Sequence, residues 1–129
     1  MTSLSRTASQ NDYPSRYDLR WSKSETAIAR KAFYAALERE IHEVILEAKK
    51  MANQIKRSSD LWDLEHYLTE RRKEINRKYE YRSSRLTLVF GRLLYEGRVD
   101  EKQLRGLQED KLKSIRCHTR FLVEETDAA

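Results

Sequence analysis

The sequence predicts an all-α fold, and its composition, its helix-start signals and the spacing of its apolar residues support this prediction. The 129 residues contain three Gly and one Pro, while charged residues make up 36% of the chain and apolar residues 39%. Few helix breakers among many charged and apolar residues are typical of long helices that pack side by side. We therefore expect a long antiparallel helical hairpin followed by a small C-terminal helical head, all within one domain over residues 21–123.

The first long helix is predicted over residues 22–57. Ser22 followed three residues later by Glu25 is the pattern of a capping box, in which each side chain accepts from the backbone N–H of the other residue. Apolar residues then recur at spacings of four and three, which places them on one face: Leu37, Ile41, Val44, Ala48, Met51 and Ile55. Residues 1–20, before this helix, are polar and are predicted to form a flexible tail.

The second long helix is predicted over residues 60–96. Ser58, Ser59 and Asp60 are residue types that cap helix N-termini, and Gly97 is suited to end the helix. Between them runs a second apolar stripe: Leu61, Leu64, Leu68, Ile75, Tyr79, Leu86, Val89, Phe90, Leu93 and Leu94. Each long helix would extend about 50 Å, and a short connection would place the two antiparallel.

The remaining residues predict the helical head and a second tail. Residues 100–123 have apolar residues at helical spacing on both sides of Gly106, which indicates a short helix, a tight turn and another helix. Residues 124–129 are polar and are predicted to be a flexible tail.

Both apolar stripes are wider than a single partner helix covers, so the sequence predicts a homodimer. A two-helix layer would leave apolar surface in water, and a second copy of the chain would cover that surface. The expected dimer interface combines residues of both long helices: Leu37, Ile41, Val44, Ala48, Leu61, Trp62, Leu68 and Arg72.

Composition and motifs argue against several classes of function. Phosphate-binding and hydrolase motifs are absent, and the three His share no metal-ligand spacing. Cys117 is the single cysteine, which excludes an internal disulfide. No apolar run is long enough to span a bilayer, and no secretory signal is recognisable. We expect a cytoplasmic, non-enzymatic protein with no catalytic residues, no cofactor, no metal site and no membrane insertion.

A helix-turn-helix that binds nucleic acid is an open alternative. Residues 104–120 contain a Gly turn and a second helix that carries four basic side chains: Lys111, Lys113, Arg116 and Arg120. Glu109 and Asp110 oppose this interpretation, because they lie at the helix N-terminus that would approach DNA. The formal charge of +5 is also modest.

The segment from residue 60 to residue 82 is the best candidate for a protein-binding surface. Around its predicted helix, Trp62 and Arg72 lie on the flank of the apolar stripe, and carboxylates border them. Aromatic residues and Arg are the residue types that anchor protein interfaces. The candidate partner-binding residues are Glu65, His66, Thr69, Arg72 and Lys73, while Trp62 is also suited to the dimer interface.

Several segments, in this order, resemble the fluorescence recovery protein family: WSKSE (21–25), AFYAALEREI (32–41), DLWDLEHYLTERRKEINRKYEYR (60–82) and LVFGRLLYEGRVDEKQLRGLQEDKL from residue 88. The resemblance implies an all-α homodimer that binds the light-activated red form of the orange carotenoid protein. It also implies that the chain speeds reversion to the orange form and restores phycobilisome fluorescence, without a cofactor of its own.

The resemblance assigns roles to individual positions and shows one departure. Trp62 matches a family tryptophan at the dimer interface, and Arg72 matches an arginine implicated in dimerisation and activity. The family usually has His-Asp where this chain has Glu65-His66, so the resemblance implies that His66 replaces an aspartate important for activity. The resemblance is therefore compatible with action on the orange carotenoid protein or with a family-like role on a different protein partner.

Overall fold

The computed structural model describes residues 20–128. It contains four α-helices and one 3₁₀ turn, which are α1 (Lys23–Asn53), α2 (Ser58–Lys78), α3 (Leu86–Tyr95), the 3₁₀ turn (Glu101–Leu104) and α4 (Glu109–Ala128). No strand occurs within the described stretch, so the predicted all-α class is confirmed. The predicted N-terminal tail lies, apart from Arg20, outside the described residues.

Helix α1 begins where the sequence predicts it. The Ser22 hydroxyl accepts from the Glu25 N–H at 3.1 Å, and the Glu25 carboxylate accepts from the Ser22 N–H at 3.0 Å. The capping box is therefore formed. The helix ends at Asn53, four residues before the predicted end, and α2 begins at Ser58 after a short turn. Asp60 stabilises that turn by accepting from the backbone N–H groups of Lys56 and Arg57.

The prediction of one continuous second helix over residues 60–96 is wrong. Helix α2 ends at Lys78, residues 79–85 are not helical, and α3 starts at Leu86. Long-range contacts stabilise the break: the Tyr79 hydroxyl donates to Glu40, and the rings of Tyr79 and Tyr81 pack edge-on against Phe33. The change of direction lets α3 join one buried cluster with residues of both α1 and α4.

The C-terminal elements agree with the predicted helical head, with one correction. Gly97 follows α3 at a φ of +75°, and the Arg98 N–H returns to the Leu93 carbonyl at 2.8 Å, which closes the helix end as predicted. Asp100 caps the 3₁₀ turn, and Gly106 turns the chain at a φ of +107°. Residues 124–128 belong to α4, so the predicted tail over residues 124–129 is mostly helical.

The buried core lies where the first part of α1, α3, the 3₁₀ turn and α4 meet; we call this the core region. Its largest apolar side chains are Phe33, Phe90, Leu93, Leu104 and Ile115. Gly91 permits a close approach of α3 to α4, because a Cβ atom there would lie 2.5 Å from the Cβ of His118. The rest of α1 and all of α2 extend away from this core as a hairpin.

Candidate protein-binding face

The hairpin from Ile41 to Lys78, which we call the arm, contains no buried residue. Four apolar side chains predicted for the dimer interface are exposed there: Ile41 (41%), Leu61 (44%), Leu68 (41%) and Trp62 (61%). Scattered exposed apolar residues are ordinary, but a row of large ones along two paired helices marks an interaction surface. The arm is therefore the first candidate for a binding site.

Ile41 on α1 and Leu61 and Leu68 on α2 point to the same side of the arm. Glu40 on α1 and Arg71 on α2 pair at 3.2 Å and mark where the helices face each other. At about 100° per residue, Ile41 lies about 100° from Glu40, and Leu61 and Leu68 lie about 60–80° from Arg71 in the same rotational sense. Because the two helices run antiparallel, these angles place Ile41, Leu61 and Leu68 on one face of the pair. We call this the arm face.

The other predicted dimer-interface residues divide between the arm and the core region. Val44 and Ala48 are half-buried in the arm, whereas Leu37 packs against the core cluster. Arg72 is exposed and lies about 100° from Arg71, next to Leu61 and Leu68 on the arm face. Trp62 lies about 180° from Arg71, so its ring is on the outer side of α2 rather than at the centre of the arm face.

The predicted partner-binding residues form a polar surface beside the arm face. Thr69 is half-buried and donates to the Glu65 carboxylate at 3.1 Å, while Lys73 pairs with Glu70 at 3.6 Å. Glu65, His66, Arg72 and Lys73 are exposed. Together with Trp62, these side chains offer aromatic, cationic and anionic groups on one helix without any buried group to hold a substrate.

A buried carboxylate, Glu40, connects the arm to the core region. Its side chain is fully buried and has four partners: Arg71 at 3.2 Å, Lys78 at 2.8 Å, Tyr79 at 2.7 Å and Arg98 at 3.2 Å. We call Glu40 and these four partners the Glu40 cluster. Lys78 and Arg98 also pair with Glu96, at 2.8 and 2.9 Å. The partners come from α2, from the residue after it and from the turn after α3.

The charges of this cluster stabilise one another. Burial alone would raise the pKa of Glu40, but hydrogen bonds from Lys78 and Tyr79 and the nearby positive charges outweigh burial and lower this pKa below its ordinary 4.5. Burial and the hydrogen bond to Glu40 raise the pKa of Tyr79, so the phenol stays protonated and donates. At neutral pH Glu40 is therefore ionised and paired, while Tyr79 remains a neutral donor.

A second buried ion pair weakens the nucleic-acid alternative. Lys111, one of the four basic residues proposed for DNA contact, is only 3% exposed and pairs with the buried Glu25 at 3.2 Å. Arg116 pairs with Glu101 and Glu109 at 3.1 and 3.4 Å. The element before the turn is a four-residue 3₁₀ segment rather than a full helix. The geometry of a DNA-reading helix-turn-helix is therefore not reproduced.

An open groove of about 380 Å³ lies between the end of α2, α3 and α4. Leu88, Val89, Phe121 and Leu122 give it an apolar wall, and charged side chains form its rim. At this groove, burial and the charge of Arg85 lower the pKa of His118, which favours the neutral imidazole.

Within residues 20–128, no cluster of His, Cys, Asp and Glu is arranged to hold a metal ion.

Sequence reasoning found the exposed residues of α2 but missed the Glu40 cluster and the Glu25–Lys111 pair. A signal for both was present, because Glu25, Ala29, Ala32, Phe33, Ala36 and Glu40 follow one another at helical spacing on the buried face of α1. A carboxylate on an otherwise apolar face indicates a buried, paired charge.

No helix among the described residues is long and apolar enough to cross a membrane.

The fold and the arm face define a class of protein: an all-α protein with a small core and a projecting hairpin suited to contact with other proteins. Comparison with known proteins then gives the family. The profile described as photoprotection regulator fluorescence recovery protein matches residues 21–119. The chain belongs to the fluorescence recovery protein family, whose role is the regulation of photoprotection.

Individual relatives agree with this assignment. The fluorescence recovery protein of Synechocystis sp. PCC 6803 is 37% identical over 101 residues, which cover 78% of this chain and 93% of that protein. The solved structure of the Fremyella diplosiphon fluorescence recovery protein is similar at a TM-score of 0.74 and 39% identity. The Synechocystis structure also has a TM-score of 0.74, at 37% identity; each comparison covers 78% of this chain and 99% of the solved chain.

Proposed function

We propose that this chain binds the photoactivated orange carotenoid protein as a homodimer and accelerates its red-to-orange reversion, which restores phycobilisome fluorescence. Membership of a photoprotection-regulating family supports this role. The observation that carries the binding part of the proposal is the arm, in which no residue between 41 and 78 is buried and large apolar residues are exposed on one face. Such a surface is suited to protein contact.

The proposed mechanism requires no covalent step. A regulator that binds a rearranging protein more tightly in its transition state than in its red form lowers the barrier to reversion. If the regulator also binds the free red form more tightly than the red form attached to the phycobilisome, it shifts the orange carotenoid protein away from the phycobilisome. The chain would supply a shaped surface, and the carotenoid would belong to the partner.

The proposed homodimer uses the arm face. Ile41 on α1 and Leu61 and Leu68 on α2 form an apolar row that a second copy could cover by placing its own arm against it, as in a four-helix bundle. A symmetric pair buries the same residues twice, so a modest face on each copy becomes a continuous apolar core. The polar residues Glu65, His66, Thr69 and Lys73 would remain beside this interface for the partner.

The direct experiment follows recovery of the orange form. An orange carotenoid protein is illuminated, returned to darkness, and monitored by absorbance with and without this chain. We expect faster relaxation in proportion to the amount of chain added, and co-elution of the two proteins while the partner is red. A charge-reversed Arg72→Glu variant should lose both effects. An unchanged relaxation rate together with no co-elution would contradict the proposed partner.

One specific observation keeps a second candidate in view. By the resemblance described above, Glu65-His66 lies where the family usually has His-Asp, and both side chains are exposed beside Thr69 and Arg72. A changed pair in the centre of a binding surface can change the partner. Co-elution of the chain with a different protein, with no effect on the orange carotenoid protein, would support a family-like role on that other partner.

A further inference from the structure

The ion pairs between helix α2 and the rest of the molecule lie at its C-terminal end. None of its residues is buried, and apolar residues such as Leu64 and Ile75 are only half-buried. Its last two turns, in contrast, contribute Arg71 and Lys78 to the fully buried carboxylate of Glu40. The buried polar contacts of α2 with the rest of the molecule are therefore concentrated in this one cluster.

We propose that Glu40 is a positioning residue that holds α2, and with it the partner-binding surface, in a fixed orientation to the core region. This inference rests on the proposed function, because Glu40 matters for binding only if the partner contacts the residues exposed on α2. Glu40 itself is inaccessible to any partner, so it acts only through Arg71, Lys78 and Tyr79. Nothing in the role of a binding surface alone would require a buried four-partner carboxylate at this junction.

The arrangement of the cluster explains why one residue has this effect. Both carboxylate oxygens of Glu40 are occupied: one accepts from Lys78 and Arg71, and the other accepts from Tyr79 and faces Arg98. These partners belong to α2, to the residue that follows it and to the turn after α3. If the charge of Glu40 is removed, Arg71, Lys78 and Arg98 remain close together. Glu74, Glu96 and Glu43 still pair with them, but the buried centre of the junction loses its anion, and the repulsion between the cations favours opening of the junction.

The same junction contains the break between α2 and α3. Tyr79 is the first residue after α2, and its hydroxyl reaches Glu40 at 2.7 Å while its ring packs against Phe33. Residues 79–85 follow without helical structure and reach the core region again at Leu86. Loss of the Glu40 contacts would therefore release the last turns of α2 and the following segment together, while the core cluster keeps its own apolar contacts.

Hydrogen–deuterium exchange of the full chain tests the junction without any partner. In Glu40→Gln, which keeps the size of the side chain, amides in residues 71–82 should exchange about tenfold faster, the effect expected from loss of about one charge-assisted hydrogen bond. Peptides from α3 and α4 should be unchanged. Exchange at residues 71–82 that matches the wild type, or acceleration spread evenly over the molecule, would overturn the proposal.

Glu43→Gln is the matched control. Glu43 is on the same helix and also pairs with Arg98, at 2.9 Å, but its side chain is 57% exposed. The control removes the same charge from the same network, yet solvent screening should keep its effect small. Faster exchange at residues 71–82 in Glu43→Gln, equal to that in Glu40→Gln, would mean that net charge rather than the buried junction controls α2.

The orange carotenoid protein assay then tests the consequence for function. If only a fraction of Glu40→Gln molecules hold α2 correctly, about tenfold more chain should be needed for half-maximal acceleration, with the same maximal rate. An unchanged concentration dependence would contradict the positioning role. If the wild-type chain itself fails to accelerate relaxation, the proposed function fails, whereas the exchange experiment still decides whether Glu40 holds α2.

Discussion

The core region and the arm share helix α1 but have opposite relations to solvent. Before Glu40, α1 buries Ala29, Ala32, Phe33 and Ala36 in the core cluster that it shares with α3 and the 3₁₀ turn. After Glu40, the same helix continues with apolar residues at similar spacing, and none is buried. The difference teaches that periodicity determines which side of a helix is apolar, whereas the number of neighbouring elements determines whether that side is covered.

This contrast assigns different tasks to the two regions. The core region supplies the free energy that folds the chain, because its apolar residues are removed from water. The arm retains apolar surface and therefore retains free energy that binding can release. Substitutions in the two regions should consequently affect different measurements, and the following predictions run from the largest expected effect to the smallest.

Removal of a core side chain should have the largest effect. Phe33 is 2% exposed and contacts Tyr79 and Tyr81, so Phe33→Ala should lower the free energy of unfolding by about 3–5 kcal/mol. Leu68→Ala in the arm should cost less than about 0.5 kcal/mol within a single chain. Urea denaturation at several chain concentrations separates folding from association. Equal losses at low concentration would contradict the division into core region and arm.

Gly91→Ala should destabilise the protein although Ala is the better helix former. The added Cβ would lie 2.5 Å from the Cβ of His118 and 3.2 Å from the carbonyl oxygen of Ile115, so α3 and α4 would have to separate. Overpacking of this kind costs about 1–3 kcal/mol. The thermal midpoint should fall; a higher midpoint would show that the two helices are not in such close contact.

Glu25→Gln should lower stability at neutral pH by about 1–3 kcal/mol. Burial opposes ionisation of Glu25, but hydrogen bonds from the backbone of Gln108 and Ser22 and from Lys111 lower its pKa below 4.5. A lowered folded-state pKa stabilises the fold above 4.5, and this contribution is lost as the pH falls below that value. The difference between variant and wild type should therefore shrink in acid.

Glu38→Gln is the control for this pH dependence. Glu38 is exposed on the same helix, so its substitution should change the free energy of unfolding by no more than about 0.5 kcal/mol. A Glu25→Gln effect that stays constant from pH 7 to pH 3 would mean that the carboxylate does not stabilise the fold through its charge.

Restoration of the family pair should have the smallest effect on the molecule itself. The double variant Glu65→His with His66→Asp changes two exposed residues, so the unfolding midpoint should not move. If the partner is the orange carotenoid protein, its affinity should rise about two- to fivefold, the range of one exposed charge contact. Weaker acceleration by the double variant would favour a different partner for this chain.

Much of this architecture could be predicted from the sequence because its signals are local. The capping box at Ser22 and the turn at Gly97 depend on residues within five positions of each other, and both were predicted correctly. The break after Lys78 was not predicted, because the apolar spacing continues across it. Its causes are contacts of Tyr79 and Tyr81 with Glu40 and Phe33, which are about forty residues earlier in the chain.

The candidate site shows the same limit. Helical spacing placed Arg72 beside the apolar stripe, where the structure also has it, because angles within one helix follow from position alone. The same spacing placed Trp62 near the stripe, but the pairing of α1 with α2 turns it to the outer side. The side of α2 that faces α1 carries Arg71 of the Glu40 cluster, and the spacing within α2 alone does not show which side pairs with α1.

The central claim is that the arm face is the surface through which two copies associate. Sedimentation equilibrium of three variants tests it most directly. Ile41→Glu lies on the arm face, and Trp62→Glu lies at its outer border. Leu46→Glu is the control, because Leu46 is 54% exposed, between Ile41 (41%) and Trp62 (61%), but points away from the arm face. We predict that the wild type and Leu46→Glu sediment as dimers at micromolar concentration, and that Ile41→Glu and Trp62→Glu shift towards the 15.4 kDa monomer. A wild-type monomer, or an Ile41→Glu variant as dimeric as Leu46→Glu, would contradict the account.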